Sequence, residues 1–241
     1  MSDTLIIIPT YNEIDNIEEI LRVVFALEKA YHVLIVDDGS PDGTADAVKS
    51  MQSEFPEQLH IEERTGKLGL GTAYIHGFEW SLKRGYNYII EMDADFSHPP
   101  TSLIELYDAC VKGGADVSVG SRYVSGVNVV NWPMSRVLMS YFASIYVRWV
   151  TRMPVRDTTA GFVCYHRSVL ERIHLDKINF VGYAFQIEMK FTAWRLGFTI
   201  KEVPIIFTDR RKGQSKMSSS IFKEAILGVL FMKIKSWFKK Y

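Results

Sequence analysis

Two carboxylates separated by a single residue, those of Asp93 and Asp95, follow a short apolar run that ends at Glu91. Residues i and i+2 of an extended segment point the same way, so both carboxylates can face one point. Carboxylate oxygens are ligands that Mg²⁺ or Mn²⁺ prefers, and such a cation also binds the oxygens of a diphosphate. The alternative is a solvated turn, in which aspartate is common. The position after a predicted strand favours the metal site.

A second acidic cluster spans residues 37–43 and is followed by Thr44, which can cap a helix. An EF-hand calcium loop beginning at Asp38 would need Glu at its twelfth position, where Lys49 stands. That class of site is therefore excluded. Asp38 is instead a candidate for a hydrogen bond to a ribose or a base, and Asp42 is expected to serve the turn.

The glycines of Gly66–Gly71 suggest a phosphate loop, but two known patterns fail. A Walker motif would need Gly at Ile61 and Ser or Thr at Leu68, and a dinucleotide fingerprint would need Gly at Tyr74. Two alternatives remain for the loop. Either it contacts phosphate at the N-terminus of a helix, or it only turns the chain.

Basic residues form two further patterns. Residues 209–216 are rich in Lys and Arg, which is typical of a solvated loop, although a mobile basic loop beside a diphosphate can also close over the ligand. In the second interpretation Arg210 and Lys216 contact phosphate. Between Asp116 and Asp157 there is no carboxylate, which predicts an anion-facing surface. That stretch contains Arg122, Arg136, Arg148, Arg152 and Arg156.

Short apolar runs alternate with helical patterns through the first half of the chain and supply a scaffold for these side chains. Strands are predicted at Leu5–Ile8, Val33–Val36, His60–Glu62, Tyr88–Glu91 and Val117–Val119. The intervening helices are predicted at Asp15–Leu27, Thr44–Phe55, Gly71–Lys83 and Thr101–Lys112. This rhythm predicts an α/β fold with a mostly parallel sheet and helices on both faces. Ligands then belong at the carboxyl ends of the strands, where the polar clusters converge.

After Arg122 the alternation stops. We predict a helix rich in aromatic residues at Met134–Val150, a strand at Gly161–Tyr165 and a helix at Ala184–Leu196. A last strand is predicted at Thr199–Phe207, with a bend at the proline within it.

Composition limits the class of protein. With 241 residues, 47% of them apolar and 23% charged, the chain suits one large domain and neither a disordered nor a fibrous protein. Cys110 and Cys164 lack the spacing of metal ligands, so we expect them to pack in a core within a reducing compartment. Leu5–Ile8 is too short for a secretory signal. We therefore expect a cytoplasmic protein, and no nucleic-acid partner.

The last residues differ from the rest, so we divide the chain into a domain at 1–220 and a tail at 221–241. The tail mixes Trp and Phe with Lys, and its longest uncharged run, Ala225–Met232, is far below the roughly 20 residues that span a bilayer. We expect an amphipathic helix lying in the membrane interface, beside the segment Met134–Trp149, on the cytoplasmic face. The alternative is a helix packed on the domain's own core.

The motifs in combination resemble the dolichol-phosphate (polyprenol-phosphate) mannose synthases, inverting family 2 glycosyltransferases with the GT-A fold. The segments that carry the resemblance are Pro9–Glu13, Asp37–Thr44, Met92–Pro99, Gly120–Tyr123 and Asp209–Lys216. The resemblance implies transfer of mannose from GDP-mannose to a polyprenyl phosphate, with Mg²⁺ or Mn²⁺ as the cofactor. A UDP-glucose-dependent polyprenyl phosphate glucosyltransferase is the nearest alternative. Transfer to a sugar hydroxyl and an inactive sugar-nucleotide sensor are more distant ones.

The resemblance also implies a role for each matching residue. Asp93, Ala94 and Asp95 would meet the metal and the diphosphate, and Arg136 would receive the lipid phosphate. Contacts to GDP-mannose would come from Arg122, Arg210 and Lys216. The guanosine pocket would be lined by Pro9, Tyr11, Glu13, Val36 and Asp38. Ser97 stands where some members have a Gln metal ligand, so we expect water to complete the coordination.

The expected reaction needs little acid–base machinery. A metal at the diphosphate stabilises the charge that builds on the leaving group, so no protein acid is required. A phosphate monoester has a second pKa of about 6 and is already ionised near neutral pH, so it needs no general base. This fits a crevice whose sequence shows no Ser/His/Asp set. A single in-line displacement predicts inversion at the anomeric carbon.

Overall fold

The computed structural model describes residues 2–182, 184–210 and 219–238, with side chains described up to 210 and from 227 to 237. The strands are β1 (Thr4–Thr10), β2 (His32–Asp37), β3 (Leu59–Glu63), β4 (Tyr88–Glu91), β5 (Val117–Ser121), β6 (Val129–Val130), β7 (Val163–His166), β8 (Ile200–Pro204) and β9 (Phe207–Thr208). The helices are α1 (Ile14–Phe25), α2 (Thr44–Met51), α3 (Leu70–Arg84), α4 (Leu103–Val111), α5 (Met134–Thr151), α6 (Arg167–Arg172), α7 (Ala184–Arg195) and α8 (Ser219–Phe238).

Within the described ranges, seven strands form one sheet in the order β3-β2-β1-β4-β7-β5-β8. All neighbouring pairs are parallel except those of β7, which runs antiparallel to both β4 and β5. The chain leaves β5 at the carboxyl edge and returns from that edge, so β7 must run the opposite way. The predicted fold class, a mostly parallel sheet flanked by helices, is confirmed.

Alternate residues of β1 fill the cores on the two faces of the sheet. Leu5 and Ile7 pack with α3 and α7, whereas Ile6 and Ile8 pack with α1 and α4. This period of two on a strand buried on both sides explains its unbroken apolar run. Cys110 and Cys164 are free and buried, as expected. The packing holds the carboxyl ends of the strands rigidly beneath the polar loops.

The predicted strand Thr199–Phe207 divides at Pro204. β8 ends at this proline, and β9 leaves the main sheet to pair in parallel with β6. The Asp209 N–H donates to the Val130 carbonyl at 3.0 Å, so the small sheet fixes the backbone where the basic segment begins. The bend was predicted, but the partner of β9 was not.

Helix α8 packs against α5 and α7 through Val229 and Met232, which share an apolar cluster with Val147 and Phe191. Other large apolar residues of α8, including Phe231 and Trp237, are exposed. The division of the chain at residue 220 stays a prediction. Among the residues that the structure describes, no helix is long and apolar enough to cross a bilayer.

Candidate active site

The loop after β4 presents the two predicted carboxylates. Tyr74 Oη donates to Asp93 Oδ1 at 3.4 Å, and the Ser97 N–H donates to Asp95 Oδ1 at 3.1 Å. Phe96, between Asp95 and Ser97, has φ of 61°, a left-handed conformation that turns the chain sharply. The Asp93 side chain is 41% exposed, so it faces the crevice, whereas that of Asp95 is 9% exposed.

A buried histidine orients Asp93. His98 is 3% exposed, and its Nδ1 accepts the Asp93 N–H at 3.0 Å. Burial lowers the pKa of His98, so the ring is neutral at pH 7 and carries its proton on Nε2, 3.9 Å from Asp93 Oδ2. The ring stacks on Phe162 with a centroid separation of 4.9 Å. No role in the site was predicted for His98 from the sequence, although it lies within the segment Met92–Pro99, five residues after Asp93.

The electrostatics of the aspartate pair suit a divalent cation. Partial desolvation and the adjacent Asp95 carboxylate raise the pKa of Asp93, so a cation bound at the pair would favour its ionised form. In the described part of the chain, no three or more His, Cys, Asp or Glu side chains are grouped to hold a metal. Two hard oxygen donors fit Mg²⁺ or Mn²⁺ whose other ligands come from a diphosphate and water. Arg210 Nη2 lies 3.2 Å from Asp95 Oδ2 and supplies positive charge there.

Arg136 lies in the first turn of α5 and pairs with a carboxylate of the basic segment. Its Nη1 donates to Asp209 Oδ1 at 3.0 Å, and its guanidinium lies 4.0 Å from the centroid of the Trp132 ring. Arg136 Nε and Trp132 Nε1 are buried without a hydrogen-bond partner among the described residues. Buried N–H groups without acceptors are costly, so this corner of the crevice is suited to an additional anionic oxygen.

Arg122 forms a buried ion pair with Asp157, in addition to its predicted role as a contact to GDP-mannose. Its Nε and Nη2 donate to the two carboxylate oxygens of Asp157 at 2.7 and 2.6 Å, and Nη2 also donates to Thr159 Oγ1 at 2.8 Å. Burial alone would raise the pKa of Asp157, but Arg122 lowers it below the usual value. Arg122 thereby stabilises the loop after β5. Its contact with the donor stays a prediction. Asp157 was visible in the sequence only as the end of the carboxylate-free stretch.

The predicted nucleoside pocket lies between the loops after β1 and β2. Pro9 and Val36 are partners in the register of these strands, and the Asp38 N–H donates to the carbonyl of Thr10 at 3.0 Å. The Glu13 N–H donates to Thr44 Oγ1 at 3.0 Å, which joins the loop after β1 to α2. Together these contacts bring both loops to the same edge of the sheet.

The Gly-rich loop lies against this pocket. Asp38 accepts hydrogen bonds from Arg64 Nε at 2.7 Å and from the Leu68 N–H at 3.3 Å. Lys67 Nζ lies 5.1 Å from the centroid of the Tyr11 ring. Arg64 was not predicted, because nothing in the sequence marks it as the partner of a carboxylate 26 residues earlier. Lys216, predicted as a phosphate contact, lies outside the described residues.

Comparisons with known proteins identify the family of this chain. The model of the family described as glycosyl transferase family 2 matches residues 5–178. A polyprenol monophosphomannose synthase of Mycolicibacterium smegmatis is 47% identical over 226 residues, covering 94% of this chain and 85% of the relative. An undecaprenyl-phosphate mannosyltransferase of Micrococcus luteus is 46% identical over 225 residues, covering 93% and 91%. The resemblance drawn from the motifs is confirmed.

A solved structure supports the fold. A mannosyltransferase of Pyrobaculum calidifontis in complex with GDP-Man and Mn²⁺ has a TM-score of 0.63 to this chain, at 18% identity. The match covers 99% of this chain and 65% of that one. With a family match over most of the chain and relatives this similar along nearly all of it, the protein belongs to glycosyl transferase family 2.

Proposed function

We propose that the protein transfers mannose from GDP-mannose to a polyprenyl phosphate with inversion, releasing GDP and polyprenyl phosphate mannose. The observation that carries the proposal is that one crevice holds two subsites of opposite charge. The acidic one contains Asp93 and Asp95, and the basic one contains Arg136 and Trp132, each with one N–H group that has no hydrogen-bond partner among the described residues. The names of the two relatives that match along nearly the whole chain support the same reaction.

On the donor side, Asp93 and Asp95 would hold Mg²⁺ or Mn²⁺ against the diphosphate. The bound cation supplies Lewis acidity, which stabilises the negative charge that develops on GDP as it leaves. The neutral His98 fixes the Asp93 main chain, so that its carboxylate stays aimed into the crevice. Arg210 moves from Asp95 to the diphosphate in this proposal, and Lys216 provides a second contact. Pro9, Tyr11, Glu13, Val36 and Asp38 line the guanosine pocket.

On the acceptor side, Arg136 would bind the lipid phosphate and aim one oxygen at the anomeric carbon. A phosphate monoester is ionised near pH 7, so positioning rather than proton removal is what the protein must supply. The guanidinium is well suited, because it binds phosphate through two parallel hydrogen bonds. Its ring contact with Trp132 limits the side chain to few rotamers and favours one orientation.

A polyprenyl phosphate is a membrane lipid, and we propose contact with the cytoplasmic face of a membrane. Support for contact with a membrane comes from an exposed apolar surface on α5 and α8. We call it the apolar stripe. On α5 its members recur every three or four residues: Met134, Leu138, Phe142, Ile145 and Trp149. On α8 they are Leu227, Leu230, Phe231, Ile234 and Trp237. Helices that only pack on a core do not keep such faces in water.

Positive charge adjoins the apolar stripe. Arg148 and Arg156 line a cavity of about 160 Å³ together with Tyr123, Tyr141 and Ile145. Basic groups near an anionic membrane surface contribute roughly 1 kcal/mol each to binding. This part of the predicted anion-facing surface therefore suits lipid headgroups, while Arg136, at the other end of α5, suits the acceptor phosphate.

The reaction is tested by incubating the protein with labelled GDP-mannose or UDP-glucose and a short polyprenyl phosphate, with and without a chelator. We expect label from GDP-mannose in the organic extract, none with the chelator, and a β-linked product by NMR. Transfer from UDP-glucose instead would establish the alternative donor. Transfer at an undiminished rate in the chelator, or an α-linked product, would contradict the mechanism.

A further inference from the structure

Two adjacent residues connect the donor and acceptor subsites. Arg210 Nη2 lies 3.2 Å from Asp95 Oδ2 on the metal side. Asp209 Oδ1 lies 3.0 Å from Arg136 Nη1 on the acceptor side. Without substrates, each subsite therefore contacts one side chain of the opposite charge. Arg210 lies where a cation is expected, and the Asp209 carboxylate lies where a phosphate is expected.

One oxygen carries the link between them. Asp209 Oδ1 accepts from Arg136 Nη1 and also from the Arg210 backbone N–H, at 3.1 Å. The Asp209 N–H is fixed to the Val130 carbonyl by the small sheet of β6 and β9. Arg210 can leave Asp95 by rotation of its side chain, but a rotation of the peptide between residues 209 and 210 would also move the Arg210 N–H. Such a rotation changes the hydrogen bonding of the same oxygen that holds Arg136.

We propose that Asp209 is a positioning residue that holds Arg136 closed to the acceptor phosphate until the metal and the diphosphate have bound. The inference rests on the proposed function. When the donor draws Arg210 from Asp95, the turn at residue 209 weakens the Asp209–Arg136 pair and exposes the guanidinium to the lipid phosphate. Donor binding then precedes tight acceptor binding, which prevents a lipid phosphate from occupying a crevice that has no sugar to transfer.

The Asp209 carboxylate competes with a lipid phosphate for Arg136, and the partial burial of the pair makes this competition effective. The side chains of Arg136 and Asp209 are 24% and 30% exposed. A phosphate arriving at Arg136 must therefore displace a partly desolvated carboxylate rather than water, which lowers its affinity. Removal of the Asp209 carboxylate should therefore open Arg136 to the lipid phosphate. Asp93 and Asp95 of the donor subsite should keep their contacts.

The coupling is measured as the dissociation constant of the acceptor without GDP and Mg²⁺ divided by its dissociation constant with them. We would titrate a water-soluble short-chain polyprenyl phosphate into the protein by calorimetry, with and without saturating GDP and Mg²⁺. For the wild type we expect GDP and Mg²⁺ to strengthen acceptor binding about tenfold, a usual size for coupling between sites. For Asp209→Asn the ratio should fall to about one, because acceptor binding without GDP becomes stronger. Asp209→Glu, which keeps the carboxylate, should retain most of the wild-type ratio.

Each outcome decides the question. A wild-type ratio near one, or an Asp209→Asn ratio equal to that of the wild type, overturns the role of Asp209 while leaving the proposed reaction intact. Failure of the wild type to bind the short polyprenyl phosphate under either condition contradicts the proposed function and this inference with it. Arg210→Gln provides a second, independent variant. It should weaken GDP–Mg²⁺ binding and also reduce the ratio, and a full ratio in this variant would argue against a link through residue 210.

Discussion

At the scale of single residues, a substitution at Asp95 tests the effect of the negative charge with little change in the shape of the side chain. Asn has nearly the same size, so Asp95→Asn keeps the packing but removes one of the two anionic ligands proposed for the metal. We expect a loss of at least a hundredfold in kcat, the scale of losing one strong electrostatic contact to developing charge. Activity measured against Mn²⁺ concentration checks this. The exposed Asp46→Asn on α2 is the control, and an active Asp95→Asn enzyme would remove Asp95 from the metal site.

Arg136 is expected to act on the acceptor alone. Replacing it with Ala removes charge-assisted hydrogen bonds worth about 1.5–3 kcal/mol each, so the KM for polyprenyl phosphate should rise roughly ten- to a hundredfold. The KM for GDP-mannose should change little. Arg136→Lys keeps the charge but loses the planar pair of donors, so its defect should be intermediate. Equal increases in both KM values would mean that Arg136 affects the binding of donor and acceptor alike.

The Arg122–Asp157 pair is expected to act through stability. Asp157→Asn leaves Arg122 buried without its carboxylate, which should cost about 3–5 kcal/mol of unfolding free energy. Arg122 lowers the pKa of Asp157 below its unfolded value of 3.8, so the pair stabilises the protein above that pH and loses this effect below it. Urea denaturation at pH 5 and pH 8 should therefore give the same penalty. A penalty that grows between these values would contradict the assignment.

At the scale of secondary-structure elements, α3 approaches β1 closely at Gly77. A Cβ added there would lie 2.7 Å from Ile7 Cδ1, in a buried contact between α3 and β1. Gly77→Ala would gain up to about 1 kcal/mol of helix propensity, but overpacking costs about 1–3 kcal/mol, so we expect net destabilisation. Ile7→Val removes one methyl group from the contact and should restore part of the loss. Additive effects in the double mutant would show that the contact is not the cause.

Elements were predictable from the sequence where the pattern is local. The alternation of apolar runs with helical spacing identified the first five strands, because all of them except the edge strand β3 are largely buried on both faces and the helices between them on one. The direction of β7 and the pairing of β9 with β6 were not predictable, since both depend on where a long connection returns. The same limit applies to side chains. Asp93 and Asp95 are two residues apart in the chain, whereas Asp157 and Arg64 matter only through partners distant in sequence.

At the scale of the whole molecule, the active crevice and the apolar stripe share helix α5. Arg136 lies in its first turn and Trp149 near its last, about 20 Å away at 1.5 Å per residue. Arg136 lies on the side of α5 opposite to the stripe, so in a helix that lies flat with the stripe in the bilayer we expect this arginine near the level of the lipid headgroups. This is where the phosphate of a polyprenyl phosphate is found, so the lipid could reach the sugar without leaving the bilayer.

That arrangement predicts which exposed residues carry membrane binding. Phe142→Ser with Trp149→Ser removes two side chains that are 60% and 79% exposed, so the fold should tolerate the change. Burying an apolar side chain of this size is worth about 1.5–3 kcal/mol, so the fraction bound to anionic vesicles should fall at least tenfold in a flotation assay. Val111→Ser, on α4 and 43% exposed, is the control and should float like the wild type. Turnover of a water-soluble acceptor should be unchanged in the double mutant, because the proposed role of the stripe is to contact the bilayer and not the reacting groups. Undiminished flotation would instead place the membrane contact on another surface, and the orientation of α5 along the bilayer would have to be abandoned.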